Sequence, residues 1–189
     1  LKEDFTVGYT GHFYPGRGMD LLTKIAKAIP DVHFLWVGGQ EKDTAPWQKV
    51  LQNQSIHNVT LTGFIPNSKL PMYQAAADIL VMPYAKKIEG SSGGNIAPVI
   101  NPMKMFDYLS TGRPIIASNI PVFHEILDEN IAIFCNPEAT KEWELAITQL
   151  LENENLRKTM RLNALASAEK YSWKNRAKIS SEKLKNIIQ

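Results

Sequence analysis

The stretch N-P-M-K-M-F-D-Y-L-S-T-G-R-P-I-I-A-S, residues 101 to 118, reads as a short helix, a glycine stop and a buried strand. Asn101 suits the N-cap and Pro102 the first helical position, where a missing N–H costs nothing. Gly112 supplies the left-handed residue after the helix, and Pro114 bars its continuation. Between them Met103, Met105, Phe106, Tyr108 and Leu109 cover most of the circumference, so the helix is expected to be largely buried. Lys104 and Asp107 interrupt that apolar surface, three residues apart on one face near the helix start. Two readings stand at this point. One is a ligand helix offering a cation, a carboxylate and free N-terminal amides; the other is an ordinary amphipathic helix with a solvated Lys–Asp pair.

Outward from this stretch the same unit recurs. Apolar runs at Phe5–Thr10, Val32–Val37, Val59–Thr62, Asp78–Met82, Pro114–Ser118 and Ile131–Phe134 read as strands. Between and after them, helical spacing predicts helices over 19–29, 47–54, 70–77, 121–127, 138–152, 156–170 and 173–188. Strands that are continuously apolar, alternating with helices through six rounds, predict an α/β fold. It is a doubly wound, parallel, six-stranded Rossmann-like sheet with helices on both faces. Ligands in such sheets bind outside the carboxyl ends of the strands. The loop from Tyr84 to Ile100 is long for a compact domain and carries the run G-S-S-G-G-N. It reads as a lid over the site or as plain surface.

Composition narrows the function. With 44% hydrophobic and 21% charged residues in 189, the chain is an ordinary globular domain, and its net charge of +2 is too small to imply nucleic-acid or membrane binding. The one cysteine, Cys135, excludes an intrachain disulfide and fits a reducing compartment. No apolar run approaches the length of a membrane span. The chain opens almost directly on a strand and without a Met, so it is expected to be one piece of a longer protein.

Three constellations carry candidate chemistry. Gly11-His12-Phe13-Tyr14-Pro15-Gly16-Arg17-Gly18 lies between the first strand and the first helix. Its glycines have the spacing of a phosphate-binding P-loop, but Arg17 stands where that loop needs Lys and Gly18 where it needs a hydroxyl. It does not match the G-x-G-x-x-G of dinucleotide folds either. What it retains is close backbone approach, a helix N-terminus and an Arg that can fork onto phosphate, set against a plain turn with a surface Arg. The second is the helix opened on above, where the Met103 and Lys104 amides and the helix dipole suit a diphosphate and Asp107 suits vicinal hydroxyls. The third is Thr62–Pro66, where backbone groups beside Phe64 and Ile65 suit a nucleobase edge. His12, His33, His57 and His124 show no metal-ligand spacing, and His33 is expected to be structural. Trp36, Trp47, Trp143 and Trp173 are expected to pack, and Glu125 to be solvated.

In order and spacing these pieces resemble the C-terminal, nucleotide-sugar-binding lobe of GT-B glycosyltransferases, in particular glycosyltransferase family 4. The resemblance runs through G-x-x-x-x-x-[KR]-G at Gly11 to Gly18, V-G-G after the second strand, L-T-G-F-I-P, A-A-D-I-L-V-M-P, the stretch from Pro102 to Ser118, and Y-S-W at Tyr171 to Trp173. It implies that Arg17 and Lys104 are the catalytic cations and that Arg17 holds the donor diphosphate. It implies further that Gly11, His12, Asn101, Pro102 and Met103 bind the substrate, that Asp107 holds the ribose, and that Phe64 and Ile65 flank the base.

Two departures stand out. The family's first acidic residue, eight before the second, falls on Val99, leaving the sugar to Glu89, Ser91, Ser92 or Asn95; and the second acid is Asp rather than Glu. The N-terminal acceptor lobe has no counterpart here, so the chain is expected to be one domain, residues 1–189, that binds donor but transfers poorly by itself. Its final helix is expected to expose an apolar face. By this resemblance the full-length enzyme is a retaining, metal-independent hexosyltransferase of polysaccharide or glycolipid biosynthesis. It would use a UDP-sugar such as UDP-glucose or UDP-glucuronate, need no cofactor, and be cytoplasmic, with any peripheral membrane contact made through the other lobe. A nucleotide-sugar 2-epimerase lobe and a non-catalytic nucleotide-binding domain are the alternatives.

Overall fold

The computed structural model describes residues 5–88, 94–97, 100 and 103–188, with side chains to 185. Its strands are β1 (Thr6–Thr10), β2 (His33–Val37), β3 (Val59–Leu61), β4 (Ile79–Met82), β5 (Ile115–Ser118) and β6 (Ala132–Cys135). They form one sheet in the order β3-β2-β1-β4-β5-β6, with every neighbouring pair parallel. The helices are α1 (Met19–Ala28), α2 (Glu41–Asn53), α3 (Leu70–Ala76), α4 (Lys104–Thr111), α5 (Thr140–Glu152), α6 (Glu154–Lys170) and α7 (Trp173–Ile188). This is the expected doubly wound sheet, and its strand order reverses between β1 and β4.

The continuous apolar runs feed two cores, because successive strand residues point to opposite faces. Ile79, Val81 and Ile116 join Leu22, Ile25 and Trp143 on one face. Leu80, Met82, Ile115 and Ala117 join Met105, Tyr108 and Leu109 on the other. Helices α1 and α5 pack together over the first core, and α3 against α4 over the second. Helix α6 gives Met160 to one and Ala164 to the other.

One tie matters for function. The Thr10 N–H at the end of β1 donates to the Tyr108 hydroxyl at 2.9 Å, and Gln74 Nε2 of α3 reaches Thr10 Oγ1 at 3.3 Å. Side chains of α3 and α4 thus cap β1 beside the strand-order reversal. His33 is structural, as expected: its ring nitrogens link Thr6 of β1 and Thr60 of β3 at 3.2 and 2.9 Å.

Four expectations need correction. Helix α2 starts at Glu41, not Trp47, because the Gln40 N–H is capped by Asp43 Oδ2 at 3.2 Å; the helix runs on through Pro46, which lies inside it. Residues 121–127 form a 3-10 turn over Pro121–Glu125 rather than an α-helix. The described part of α4 begins at Lys104, with Met103 in the N-cap position and half exposed rather than buried; the expected cap Asn101 and first residue Pro102 lie outside the described residues. Trp173 is 73% exposed and packs into neither core; Leu184 on the same face of α7 is exposed too, as expected for that helix.

Candidate functional site

The crevice where β1 and β4 diverge is closed by two crossing loops. Gly11 follows β1 at φ +146, and a Cβ there would lie 2.5 Å from Lys104 Nζ, so only glycine lets that amine rest against the main chain. Gly18 opens α1 at φ +84, and a Cβ there would lie 1.8 Å from the Pro83 carbonyl oxygen at the end of β4. Ala85 N–H donates to the Gly16 carbonyl at 3.0 Å. Arg17 is thereby pinned between two glycines that touch the opposite loop.

Arg17 and Lys104 converge on aromatic faces. Lys104 Nζ stands 4.2 Å from the centroid of the Tyr9 ring and 5.3 Å from that of Tyr84. Arg17 Cζ stands 4.9 Å from the Tyr84 centroid. Lys104 is half-buried and makes no hydrogen bond or ion pair among the described residues, not even with Asp107 three residues on. Burial pushes its ammonium down to about 7, the Arg17 charge pushes the same way, and Asp107 opposes both. Burial raises the Tyr9 and Tyr84 hydroxyls, so both rings stay neutral phenols.

The start of α4 adds backbone donors. Phe106 and Asp107 N–H both donate to the Met103 carbonyl, at 3.0 and 3.3 Å, so the amides of Met103, Lys104 and Met105 precede the helical ladder. Gly11, His12, Arg17, Tyr84, Met103 and Lys104 line a cavity of about 210 Å³. A second cavity, of about 250 Å³, shares Gly11 and His12 with it and runs over Gly38, Gly39, Phe64, Ile65 and Asn67. The His12 ring stacks on Tyr14 at 4.8 Å, nearly coplanar at 2°, and the Tyr9 hydroxyl donates to the His12 carbonyl at 2.7 Å. Gly38 N–H donates to the Gly63 carbonyl at 3.0 Å, which brings the loop after β3 to the loop after β2. A cationic chamber at a helix N-terminus suits a polyanion; the adjoining slot, with backbone groups and the exposed rings of Tyr14 and Phe64, suits a flat polar ring.

Residues far apart in the chain therefore meet. Gly11, His12, Arg17, Met103 and Lys104 share the first cavity, and Phe64 and Ile65 line the second. Asp107 lines neither: it is exposed one turn along α4, where burial of its surroundings raises its carboxyl despite Lys104. Among the candidates for the sugar, Asn95 is committed to its own loop, its Oδ1 accepting from Ile88 and Ala97 N–H at 2.9 and 3.1 Å. Glu89, Ser91, Ser92 and Val99 lie outside the described residues. Tyr84, Gly38, Gly39 and Asn67, which line the cavities, and Tyr9, whose buried ring holds Lys104, are residues that sequence reasoning passed over. The available signal was position, since Tyr9 and Tyr84 sit near the carboxyl ends of the strands flanking the reversal. Among the described residues no three His, Cys, Asp or Glu side chains gather as a metal site, and no helix is long and apolar enough to cross a membrane.

Residues 4–153 match the family model for glycosyl transferases group 1. TuaH of Bacillus subtilis (strain 168), assigned to teichuronic acid biosynthesis as a glycosyltransferase, is 27% identical over 121 residues, covering 64% of this chain and 28% of its own length. The O-antigen chain mannosyltransferase B of Escherichia coli is 25% identical over 134 residues, covering 71% of this chain and 32% of its own. The chain thus spans about a third of these relatives' lengths. Among solved structures, the fold is shared with the sucrose-phosphate synthase of Thermosynechococcus elongatus, with a TM-score of 0.80 at 20% identity over 99% of this chain and 46% of that one. It is shared too with Anabaena HepE in complex with UDP, with a TM-score of 0.81 at 17% identity over 97% of this chain and 49% of that one. HepE has also been solved with UDP-glucose. With a family match over most of its length and a GT-B-type lobe as its fold, the chain belongs to the group 1 glycosyl transferases.

Proposed function

We propose that this chain is the donor-binding lobe of a retaining, metal-independent glycosyltransferase, and that its donor is a UDP-sugar. The observation that carries the reading is the pair of cations, Arg17 and Lys104, aimed with the first amides of α4 into one cavity that opens onto a second, base-sized slot. In this reading the diphosphate lies against Arg17, Lys104 and the Met103 amide, with Gly11 and His12 as its floor. The base occupies the slot beside Phe64 and Ile65. Asp107, exposed one turn along α4, takes the ribose hydroxyls, and Asn101 and Pro102, outside the described residues, are assigned to the substrate by the family resemblance.

As the bond between the anomeric carbon and the diphosphate oxygen breaks, negative charge grows on the leaving phosphate. Arg17, Lys104 and the helix amides stabilise that charge in a half-buried site, a type of contribution that is often the largest in catalysis. These groups supply the positive charge themselves, which is the basis for proposing that no metal is needed. The acceptor, a polysaccharide or glycolipid in this reading, is held by an N-terminal lobe, and transfer takes place in the cleft between the two. The choice of UDP is supported by HepE, a neighbour in fold that binds it.

Calorimetry of the 189-residue chain against UDP, GDP, ADP and UDP-glucose tests the reading. UDP is expected to bind, and Arg17→Ala or Asp107→Ala to weaken it by roughly 1–3 kcal/mol, the scale of lost charge-assisted bonds. Silence toward all three nucleotides overturns the reading, and unchanged affinity in both variants overturns the site assignment.

A further inference from the structure

We propose that Tyr84 is a positioning residue of the donor site, its ring face a shared platform that holds Lys104 and Arg17 side by side toward the diphosphate. The proposal rests on the donor reading above for the identity of the ligand, but the platform itself stands on the geometry of three segments. Arg17 arrives on the loop after β1, Lys104 on α4, and Tyr84 from the end of β4. Among the described residues Tyr84 is the ring that both cations share, at 4.9 and 5.3 Å from its centroid, whereas Tyr9 serves Lys104 alone.

Two cations this close repel each other, and Arg17 indeed adds to the downward pressure on the Lys104 ammonium. The ordinary remedy is a carboxylate between them, yet neither cation forms an ion pair among the described residues. A carboxylate there would compete with the diphosphate for the same two charges. An aromatic face stabilises a cation through its quadrupole without neutralising it, so the pair stays positive for an incoming anion.

The ring is also fixed in place. Tyr84 is 1% exposed and stands edge-on to Phe123, with centroids 5.4 Å apart at 87°. Its own N–H donates to the Met82 carbonyl at 3.0 Å, and the next N–H, of Ala85, ties down Gly16 beside Arg17. Ring and cation are therefore positioned by main-chain bonds on both sides.

The experiment separates the ring's charge distribution from its shape. Tyr84→Phe serves as the reference, and 3,4,5-trifluorophenylalanine at the same position keeps the packing while depleting the negative face. The fluorinated chain is expected to bind UDP about fivefold more weakly than the Tyr84→Phe reference, and the difference to vanish in an Arg17→Gln/Lys104→Met background. Equal affinity of the two rings, or a difference that persists without the cations, overturns the platform. A second readout needs no nucleotide: the titration of Lys104, followed through its Cε resonance, is expected to move to lower pH on fluorination. A titration that does not move overturns the platform even where UDP binds. One that moves in a chain that ignores UDP supports the platform and overturns the donor reading instead.

Discussion

Replacing Lys104 by Met removes the half-buried cation that burial and Arg17 already hold near neutrality, with its pKa at about 7 instead of 10.5. A bound diphosphate favours the charged ammonium, so in wild type the donor and a proton bind together above pH 7. Affinity is then level below pH 7 and falls by about tenfold per pH unit above it, as one linked proton requires. With the lysine restored to its ordinary value in the complex, the loss between pH 7 and pH 9 is about fiftyfold, or roughly 2.4 kcal/mol. Lys104→Met is expected to flatten this profile and, at pH 6, to weaken binding by about 1.5–3 kcal/mol.

The sign for folding is opposite. A lysine whose folded pKa lies below its unfolded value costs stability when charged, and the cost fades as pH rises from about 7 toward 10.5. The ligand-free variant should therefore melt higher than wild type at pH 6 while binding worse. Calorimetry with UDP-glucose, whose diphosphate is capped at both ends and does not titrate in this range, reads the affinity. Repeating it in buffers of different ionisation enthalpy counts the protons. A wild-type profile that is flat from pH 6 to pH 9, or a Lys104→Met profile with the wild-type slope, would show that Lys104 takes up no proton with the donor.

Other perturbations probe the scaffold and the remaining contacts. Tyr108→Phe strands the buried Thr10 N–H and should lower the unfolding free energy by about 1–3 kcal/mol, read from urea denaturation; an unchanged midpoint would show that the N–H finds another partner. Gly18→Ala adds both a strained φ and a collision with the Pro83 carbonyl, so a destabilisation above about 2 kcal/mol is expected. Retention of full stability would mean that the two loops do not touch in solution. Asp107→Ala should weaken UDP while leaving inorganic pyrophosphate unaffected, since only the nucleotide carries a ribose. An equal loss for both ligands would reassign Asp107 to the phosphates.

The sheet was legible because it asks little of the chain: six apolar runs, each followed by a helix, admit few other arrangements. Helix ends were less so. The N-terminus of α2 hides behind Gln40, which is outside the usual capping residues, and behind Pro46, which reads as a breaker yet lies inside the helix. Spacing put Lys104 and Asp107 on one face of α4, but spacing does not report side-chain length. The lysine stem folds back toward β1 and lodges against Gly11, while the short carboxylate stays outside. Tyr9 reads as a strand residue and Tyr84 as the start of a long loop, yet both are buried. That their faces also meet cations depends on which strands become neighbours, and no local pattern carries that information. Trp173 shows the reverse limit, since a large apolar residue predicts burial without naming the surface that covers it.

The contact of Gly18 with Pro83 and the bond from Ala85 to Gly16 have a consequence for how this loop tolerates change. Arg17 is placed by the number of residues between anchored points, with Phe13 buried in the core as a further anchor. Pro15 is exposed, so a library randomised at that position should return many functional members, whereas Tyr14 stacks on His12 and lines the second cavity and should vary little. Deleting or inserting one residue between Gly11 and Gly18 shifts the guanidinium off its ring and out of its cavity at once, so length variants should be nearly absent from the same selection. The segment is permissive in spelling only at Pro15 and strict in length throughout.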